Sequence, residues 1–370
     1  MDGRNDHPAI APLFIRNGGC PGRCIYCSER LTDPEGGGCA PADLREAVVR
    51  HLGRSRRKSP AQIAFYGGSF TGLDPARRED YLQAAGACIR EGLAVSIRIS
   101  ARPDQIDGTV LERLAAAGVA TVEIGAESMD DEILARAGRG HGAADVVRAM
   151  GLLRRGGFET GIHLMAGLPG DTRERFAASV DRIADLHPDM VRIHPTVVLA
   201  ETELAAMFGR GEYEPLSLEE AVRRCADAVS RFEAAGIRVA RLGLQATAAL
   251  ERPGAIVAGP FHPSFGALVE AEIFRRMASA LLAARGDGGD AAFRVSVRDV
   301  SSFRGTRNAN IRLLKDGFGL RSLTVRGEAG RERGTVALEA AGVLFERKRG
   351  ETGFDPSIAS QDLGFPLSRE

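Results

Sequence analysis

Three cysteines fall within eight positions of the stretch "CPGRCIYC", residues 20 to 27. Gly18, Gly19, Pro21 and Gly22 surround Cys20, so regular helix or strand is ruled out there and a tight loop is expected. Such a loop can direct three thiolates at one inorganic centre, and its exposed backbone N–H groups would help offset that centre's negative charge. Three readings compete. Free thiols seldom crowd in this way. A zinc site wants a fourth ligand, from Cys39 or a histidine, yet Cys39 in "EGGGCA" has no second CxxC half-site beside it. A cubane iron–sulfur cluster with three protein ligands keeps one iron open, and an open iron can bind a small molecule and become a catalyst.

The elements that would carry this loop follow a simple rhythm from residue 11 to about 245. Short apolar runs at 11–16, 62–68, 93–100, 119–128, 159–170 and 189–198 read as strands, and each is followed by a stretch with helical spacing. Continuous apolar runs between helices argue a parallel sheet covered by helices. Six repeated crossovers fit either an open doubly wound sheet or a curling, barrel-like one. In both, ligands sit at the carboxyl ends of the strands. There the chain puts its unusual residues: the cysteines, "YGGSF", "SARPD", "AES" and "GLPG". We expect domains at 8–245, a Gly/Pro-rich connection at 246–266, a small α+β module at 267–350, and flexible tails at 1–7 and 351–370.

Composition narrows the class. The 370 residues are 44% hydrophobic and 26% charged with zero formal net charge, values of a soluble globular protein. No run of about 18 apolar residues suggests a membrane span, and the first residues lack the pattern of a secretory signal. Six cysteines, three of them scattered at Cys39, Cys88 and Cys225, suit a reducing cytoplasm better than a disulfide framework.

Cys20-x3-Cys24-x2-Cys27, with an aromatic residue before the last cysteine, resembles the signature of the radical S-adenosylmethionine superfamily. That resemblance covers residues 8 to 245. It implies a partial (β/α)6 TIM-like barrel and a 4Fe-4S cluster on Cys20, Cys24 and Cys27, with S-adenosylmethionine on the fourth iron. Reductive cleavage would give a 5′-deoxyadenosyl radical that abstracts hydrogen from a substrate. Gly67, Gly68 and Ser69 in "FYGGSF" match the motif that contacts the methionine amino group. Ser100 stands where relatives often carry an acidic residue for the ribose, and Arg102 is a candidate for the methionine carboxylate. Glu127 and Arg139 would hold the ribose and the carboxylate, and Leu168 in "GLPG" would flank the adenine. Glu123, inside its strand, is a candidate buried paired carboxylate, Ser128 a helix N-cap, Met165 a core residue, and His194 a substrate contact or a structural histidine.

The whole set looks most like stand-alone bacterial relatives of the radical domain of the Elongator catalytic subunit, which modifies wobble uridines of tRNA. It is also similar to the oxygen-independent coproporphyrinogen dehydrogenase family. We expect no acetyltransferase domain in these residues, so acetyl transfer is not carried over. Between 294 and 350 there are 13 basic against 6 acidic residues, a net of +7. Bunched arginines at 298, 304, 307 and 312 suggest an RNA-contacting surface, or else packing or dimerisation. The leading expectation is an enzyme that draws electrons from a flavodoxin or ferredoxin and acts on an unidentified substrate, with tRNA as a candidate. Porphyrinogen-type oxidative decarboxylation and a non-catalytic metal- and RNA-binding protein are the alternatives.

Overall fold

The computed structural model describes residues 8–33, 38–55, 60–286, 289–340 and 343–351. The expected tails, apart from residue 351, lie outside them. Contacts divide the chain into two units, Met1–Pro215 with Gln245–Gly259, and Leu216–Leu244 with Pro260–Glu370.

In the first unit the strands are β1 (Ala9–Gly18), β2 (Ala61–Gly68), β3 (Ala94–Ala101), β4 (Val119–Glu127), β5 (Glu159–Ala166) and β6 (Met190–Pro195). They pair in that order, all parallel. Among the helices following them are α1 (Glu29–Thr32), α2 (Leu44–Arg54), α3 (Pro75–Arg90), α4 (Gly108–Ala116), α5 (Asp131–Arg136), α6 (Ala143–Arg155), α7 (Arg173–Asp185) and α8 (Glu203–Gly209). Short polar caps start them. Asp74 accepts from Ala76 N at 3.0 Å, Asp107 from Val110 N at 2.8 Å and Thr172 from Arg175 N at 3.2 Å. Ser128 is not the cap of α5. Asp130 takes that place, accepting from Glu132 N at 3.0 Å, while Ser128 Oγ accepts from Asp130 N one step earlier.

Side-chain contacts decide between the flat and the curled sheet. Tyr66 on β2 accepts from Arg192 Nη2 on β6 at 2.8 Å. Four strand spacings separate β2 from β6, roughly 19 Å in a flat sheet, well beyond that pair's reach. The sheet therefore curls into a partial barrel with an interior. Inward residues alternate along the strands and fall in layers: Gln62, Ser96, Thr121 and Glu159 deepest, then Arg98, Glu123, His163 and Arg192, then Ser100, Glu127, Met165 and His194 at the rim. The outward side is buried and apolar, with Ile63, Ile97, Ile99, Val122, Ile124, Ile162 and Val191 fully covered.

The second unit holds α9 (Leu218–Ala234), α10 (Phe265–Arg285), α11 (Val300–Arg304) and α12 (Ala309–Gly317). Its sheet runs Leu320–Glu328, Gly289–Ser296, Thr335–Ala340, Val343–Lys348, the first pair parallel and the others antiparallel. The unit contains the expected small α+β module together with α9, which the sequence reading placed in the first domain. Its last strand, Val343–Lys348, lies at the edge of the sheet, where a strand with one solvent side can be charge-rich. No helix among the described residues is long and apolar enough to cross a membrane.

Candidate cofactor site

The root of the cysteine loop is built backbone against backbone. Ser69 N donates to Gly18 O at 2.8 Å. A Cβ on Gly19, whose φ is 70°, would fall on the Ser69 carbonyl oxygen, and one on Gly68 would fall on the Gly18 carbonyl. Only glycine permits both approaches. Gln105 Nε2 donates to Gly19 O at 2.9 Å, and Gln105 Oε1 accepts from Ser69 Oγ. Further along, Ile25 N donates to Ala137 O at 3.2 Å and Leu204 N to Ile25 O at 2.8 Å. Tyr26 packs against both the Ile133–Ala137–Leu168 cluster and the Val198–Leu204–Tyr213 cluster. The loop is thus held at root and tip, while Cys20 and Cys27 are exposed and Cys24 is half-buried.

A zinc ion would draw sulfurs to within roughly 4 Å of one another. Among the described residues no three His, Cys, Asp or Glu side chains are grouped to hold a single ion, and Cys39 is tied elsewhere, its N donating to Phe14 O at 2.7 Å. Three thiols spread over one loop suit a polynuclear iron–sulfur centre, whose own atoms span the gap. The surroundings fit a polar cofactor as well. Ser100 Oγ at the end of β3, Arg139 Nε beyond β4 and Thr196 Oγ1 beyond β6 are buried without a hydrogen-bond partner. Such atoms are costly unless a ligand or water satisfies them.

The structure brings some expected residues together. Arg139 is buried, donates to Cys24 Sγ at 3.3 Å and to Gly125 O, and lies 3.7 Å from Glu127 Oε1. Gly125 is bare because a Cβ there would meet both Glu127 and Arg139. Glu127 ends β4 with φ 64°, a left-handed backbone in a non-glycine residue and a mark of local strain. Leu168 joins this group through Tyr26. Other expected residues are engaged with the protein. Ser69 is buried and its hydroxyl accepts from Arg102 N at 2.9 Å. The Arg102 guanidinium forks onto Asp104, with both bonds at 3.0 Å. Gly67 and Gly68 face the backbone of β1. Met165 is half-buried against the Leu168 cluster.

Two features lie beyond the expected site residues. His141 is buried beside Arg139, and burial first, with the Arg139 charge second, pushes its imidazole down to about 4. Glu123 is the hub of an ion network. It accepts from Arg98 Nη1, from Arg192 Nη2 at 2.9 Å and from His163 Nε2 at 2.6 Å, with Arg192 Nε 2.8 Å away. Arg98 Nε donates to Gln62 Oε1 at 2.7 Å, and Gln62 Nε2 donates to Thr121 Oγ1 at 3.0 Å. Burial pulls the Glu123 carboxyl up, but the hydrogen bond and charge of His163 and the charges of Arg192 and Arg98 outweigh it and hold it well below the usual carboxylate range. The expectation of a buried paired carboxylate is met. Its partners were legible only as polar residues at alternate positions, 98 and 100, 121 and 123, 192 and 194, within strands otherwise read as continuous apolar runs. His194 stacks edge-on against His163, centroids 5.9 Å apart.

Comparison with known proteins agrees. Residues 14–183 match the radical SAM superfamily and residues 188–275 the radical SAM C-terminal domain. A tRNA uridine(34) acetyltransferase of Methanocaldococcus infernus is 37% identical over 131 residues, 35% of this chain and 24% of that protein. Its namesake in Dehalococcoides mccartyi is 27% identical over 232 residues, 53% of this chain and 50% of that protein. These matches span a quarter to a half of the relatives' lengths. Among solved structures, archaeal Elp3 of Methanocaldococcus infernus with an N-terminal deletion is similar at TM-score 0.57 and 24% identity, covering 70% of this chain and 61% of that one.

Proposed function

We propose, from the premise that this chain belongs to the radical S-adenosylmethionine superfamily, that it directs that family's chemistry at a uridine in RNA. The chain is a radical S-adenosylmethionine enzyme using a 4Fe-4S cluster and S-adenosylmethionine. When bound, these cofactors supply reductive cleavage of a sulfonium and hydrogen abstraction by the resulting carbon radical.

Cys20, Cys24 and Cys27 hold the cluster in this reading. Gly67, Gly68 and Ser69 form the wall against which the methionine end lies, their glycines leaving backbone bare beside the cysteine loop. Ser100 and Glu127 offer hydrogen bonds to the ribose hydroxyls, Arg139 and Arg102 offer positive charge to the carboxylate, and Leu168 gives the adenine an apolar face. For the carboxylate we favour Arg139 over Arg102, since Asp104 already neutralises the latter. The curled sheet keeps water from the reacting centre. An electron donor of the flavodoxin or ferredoxin class supplies the reducing electron, in a reducing cytoplasm.

RNA is the favoured substrate because the relatives above carry tRNA uridine(34) in their names. Arg298, Arg304 and Arg307 support it: they are exposed and make no ion pair among the described residues. By contrast Arg294, Arg321, Arg331 and Arg349 are spent on carboxylates. The observation that carries the reading is the three-cysteine loop meeting Arg139, itself beside Glu127, at the carboxyl end of a sheet with a polar interior.

The test is electron paramagnetic resonance on anaerobically reconstituted, dithionite-reduced protein, with and without S-adenosylmethionine, followed by assay on tRNA. A cluster signal that changes on adding S-adenosylmethionine, with 5′-deoxyadenosine release stimulated by tRNA, is the expected result. A signal indifferent to S-adenosylmethionine sinks the cofactor assignment, and turnover indifferent to tRNA sinks the substrate.

A further inference from the structure

We infer that Arg139 and Tyr26 tune the reduction potential of the cluster by hydrogen bonding to the sulfur of Cys24. This rests on the reading that Cys20, Cys24 and Cys27 hold a 4Fe-4S cluster, and it names what the protein does to that cluster's electron affinity.

The contact is prepared by the backbone before the side chains meet. Ile25 N donates to Ala137 O at 3.2 Å, which lays the cysteine loop along the turn after α5. Gly138 backs onto the loop so closely that a Cβ there would stand 3.9 Å from the Cys24 Cα. Gly138 and Gly140, with φ of 67° and 69°, wind that turn tightly on either side of Arg139. Arg139 N is itself tied to Leu134 O at 3.0 Å. The arginine therefore starts beside Cys24 and needs no long reach to meet it.

Its donors divide the work. Nη1 donates to Cys24 Sγ at 3.3 Å, Nη2 donates to Gly125 O, and Nε is buried with no partner. One guanidinium thus joins the sulfur to the end of β4 and keeps a third donor for the ligand. Glu127 lies on the far nitrogen, 3.7 Å from Nη2, and leaves Nη1 to the sulfur. The Tyr26 hydroxyl is a second donor. It is buried and close enough to Cys24 and Arg139 to interact with both, yet it makes no hydrogen bond of good geometry. A ligating sulfur carrying more negative charge gives that O–H its acceptor.

Reduction adds one electron to a cluster of thiolates and sulfides. A donor to a ligating sulfur stabilises the reduced form more than the oxidised one and so raises the potential. The effect grows for a cation held out of water, and the Arg139 side chain is 8% exposed. An arginine that only braced β4 through Gly125 would leave the potential unmoved.

Potentiometric titration of the loaded cluster, read by electron paramagnetic resonance without S-adenosylmethionine, tests this. At the wild-type midpoint, Arg139→Gln should lower the ratio of reduced to oxidised cluster about tenfold, or about 59 mV for one electron. Arg139→Lys keeps the charge but cannot fork onto sulfur and Gly125 together, so it should recover part of that loss. Tyr26→Phe keeps its ring packed against both apolar clusters and should lower the ratio about threefold. It also decides the matter where Arg139→Gln loads no cluster. An unchanged or raised ratio in Arg139→Gln overturns the assignment, and the same result in Tyr26→Phe overturns it for the hydroxyl. A fall in S-adenosylmethionine affinity with the ratio unmoved leaves Arg139 a carboxylate contact alone and overturns its tuning role. Wild-type protein that binds no iron sinks the cofactor reading and the tuning together; a loaded cluster with an unmoved potential sinks the tuning alone.

Discussion

The rim of the barrel and its floor are built from the same alphabet of arginine, glutamate, serine and histidine, yet they are finished to different degrees. On the floor the charges are paired, with Glu123 taking Arg98, Arg192 and His163, although Arg192 Nε, 2.8 Å from a Glu123 oxygen, makes no hydrogen bond. At the rim Ser100 Oγ, Arg139 Nε and Thr196 Oγ1 are buried and unmatched, and Glu127 sits in a strained backbone. The contrast teaches where to look for a ligand. Buried polarity that closes on itself is scaffold; buried polarity left open awaits a partner that the chain does not encode.

The largest expected effect lies at the rim. Replacing Cys20, Cys24 or Cys27 with serine should abolish bound 4Fe-4S cluster while leaving the circular dichroism of the fold intact. Iron and sulfide analysis checks this, and a variant that retains full iron removes its cysteine from the ligand set. Next comes the floor. Glu123→Gln removes the buried carboxylate shared by Arg98 and Arg192, which should lower stability by about 3 kcal/mol in urea unfolding. A loss under 1 kcal/mol would mean that the network is not the brace described here.

A smaller effect joins the two regions at His141. Its folded value near 4 lies below the ordinary 6.5, so the folded chain favours the neutral ring. Stability from this group is fully present above pH 6.5 and is lost as pH falls toward 4, by about 3 kcal/mol at most. Comparing wild type with His141→Gln at pH 7 and pH 4.5 isolates it: the variant should lose less stability across that interval, and parallel losses would contradict the assignment. Smallest of all, Ser100→Ala should change stability by no more than about 0.5 kcal/mol, because the hydroxyl it removes bonds nothing in the protein. Its affinity for S-adenosylmethionine should nonetheless fall severalfold by equilibrium binding. A stability loss as large as that of Glu123→Gln would erase the distinction between rim and floor.

Much of this architecture was legible because its signals are local. The six strands and their crossovers follow from short-range periodicity, and the cysteine loop from spacing within eight residues. Curling of the sheet could be expected from the family resemblance but not from periodicity, since it depends on Tyr66 meeting Arg192 across 126 positions. Arg102 and Ser69 could be named from their motifs, but only the fold reveals that Asp104 and Gln105 already engage them. The strand Val343–Lys348 was hidden by its own charges, and Arg238–Leu242 by arginines at 238 and 241 that break the two-residue alternation of a strand.

The anchoring of the cysteine loop has a consequence for how the protein is made. Its root is fixed by Ser69 and Gln105, its middle by Ala137, and its tip by Leu204. A nascent chain therefore carries all three thiols out of the ribosome long before it carries the residues that shape them. Cluster delivery must wait for Leu204 to emerge, so the metal centre acts as a checkpoint on a finished barrel. Ribosome-stalled chains ending before Leu204 should expose thiols to alkylation yet fail to assemble the cluster, and assembly on such chains would refute this order.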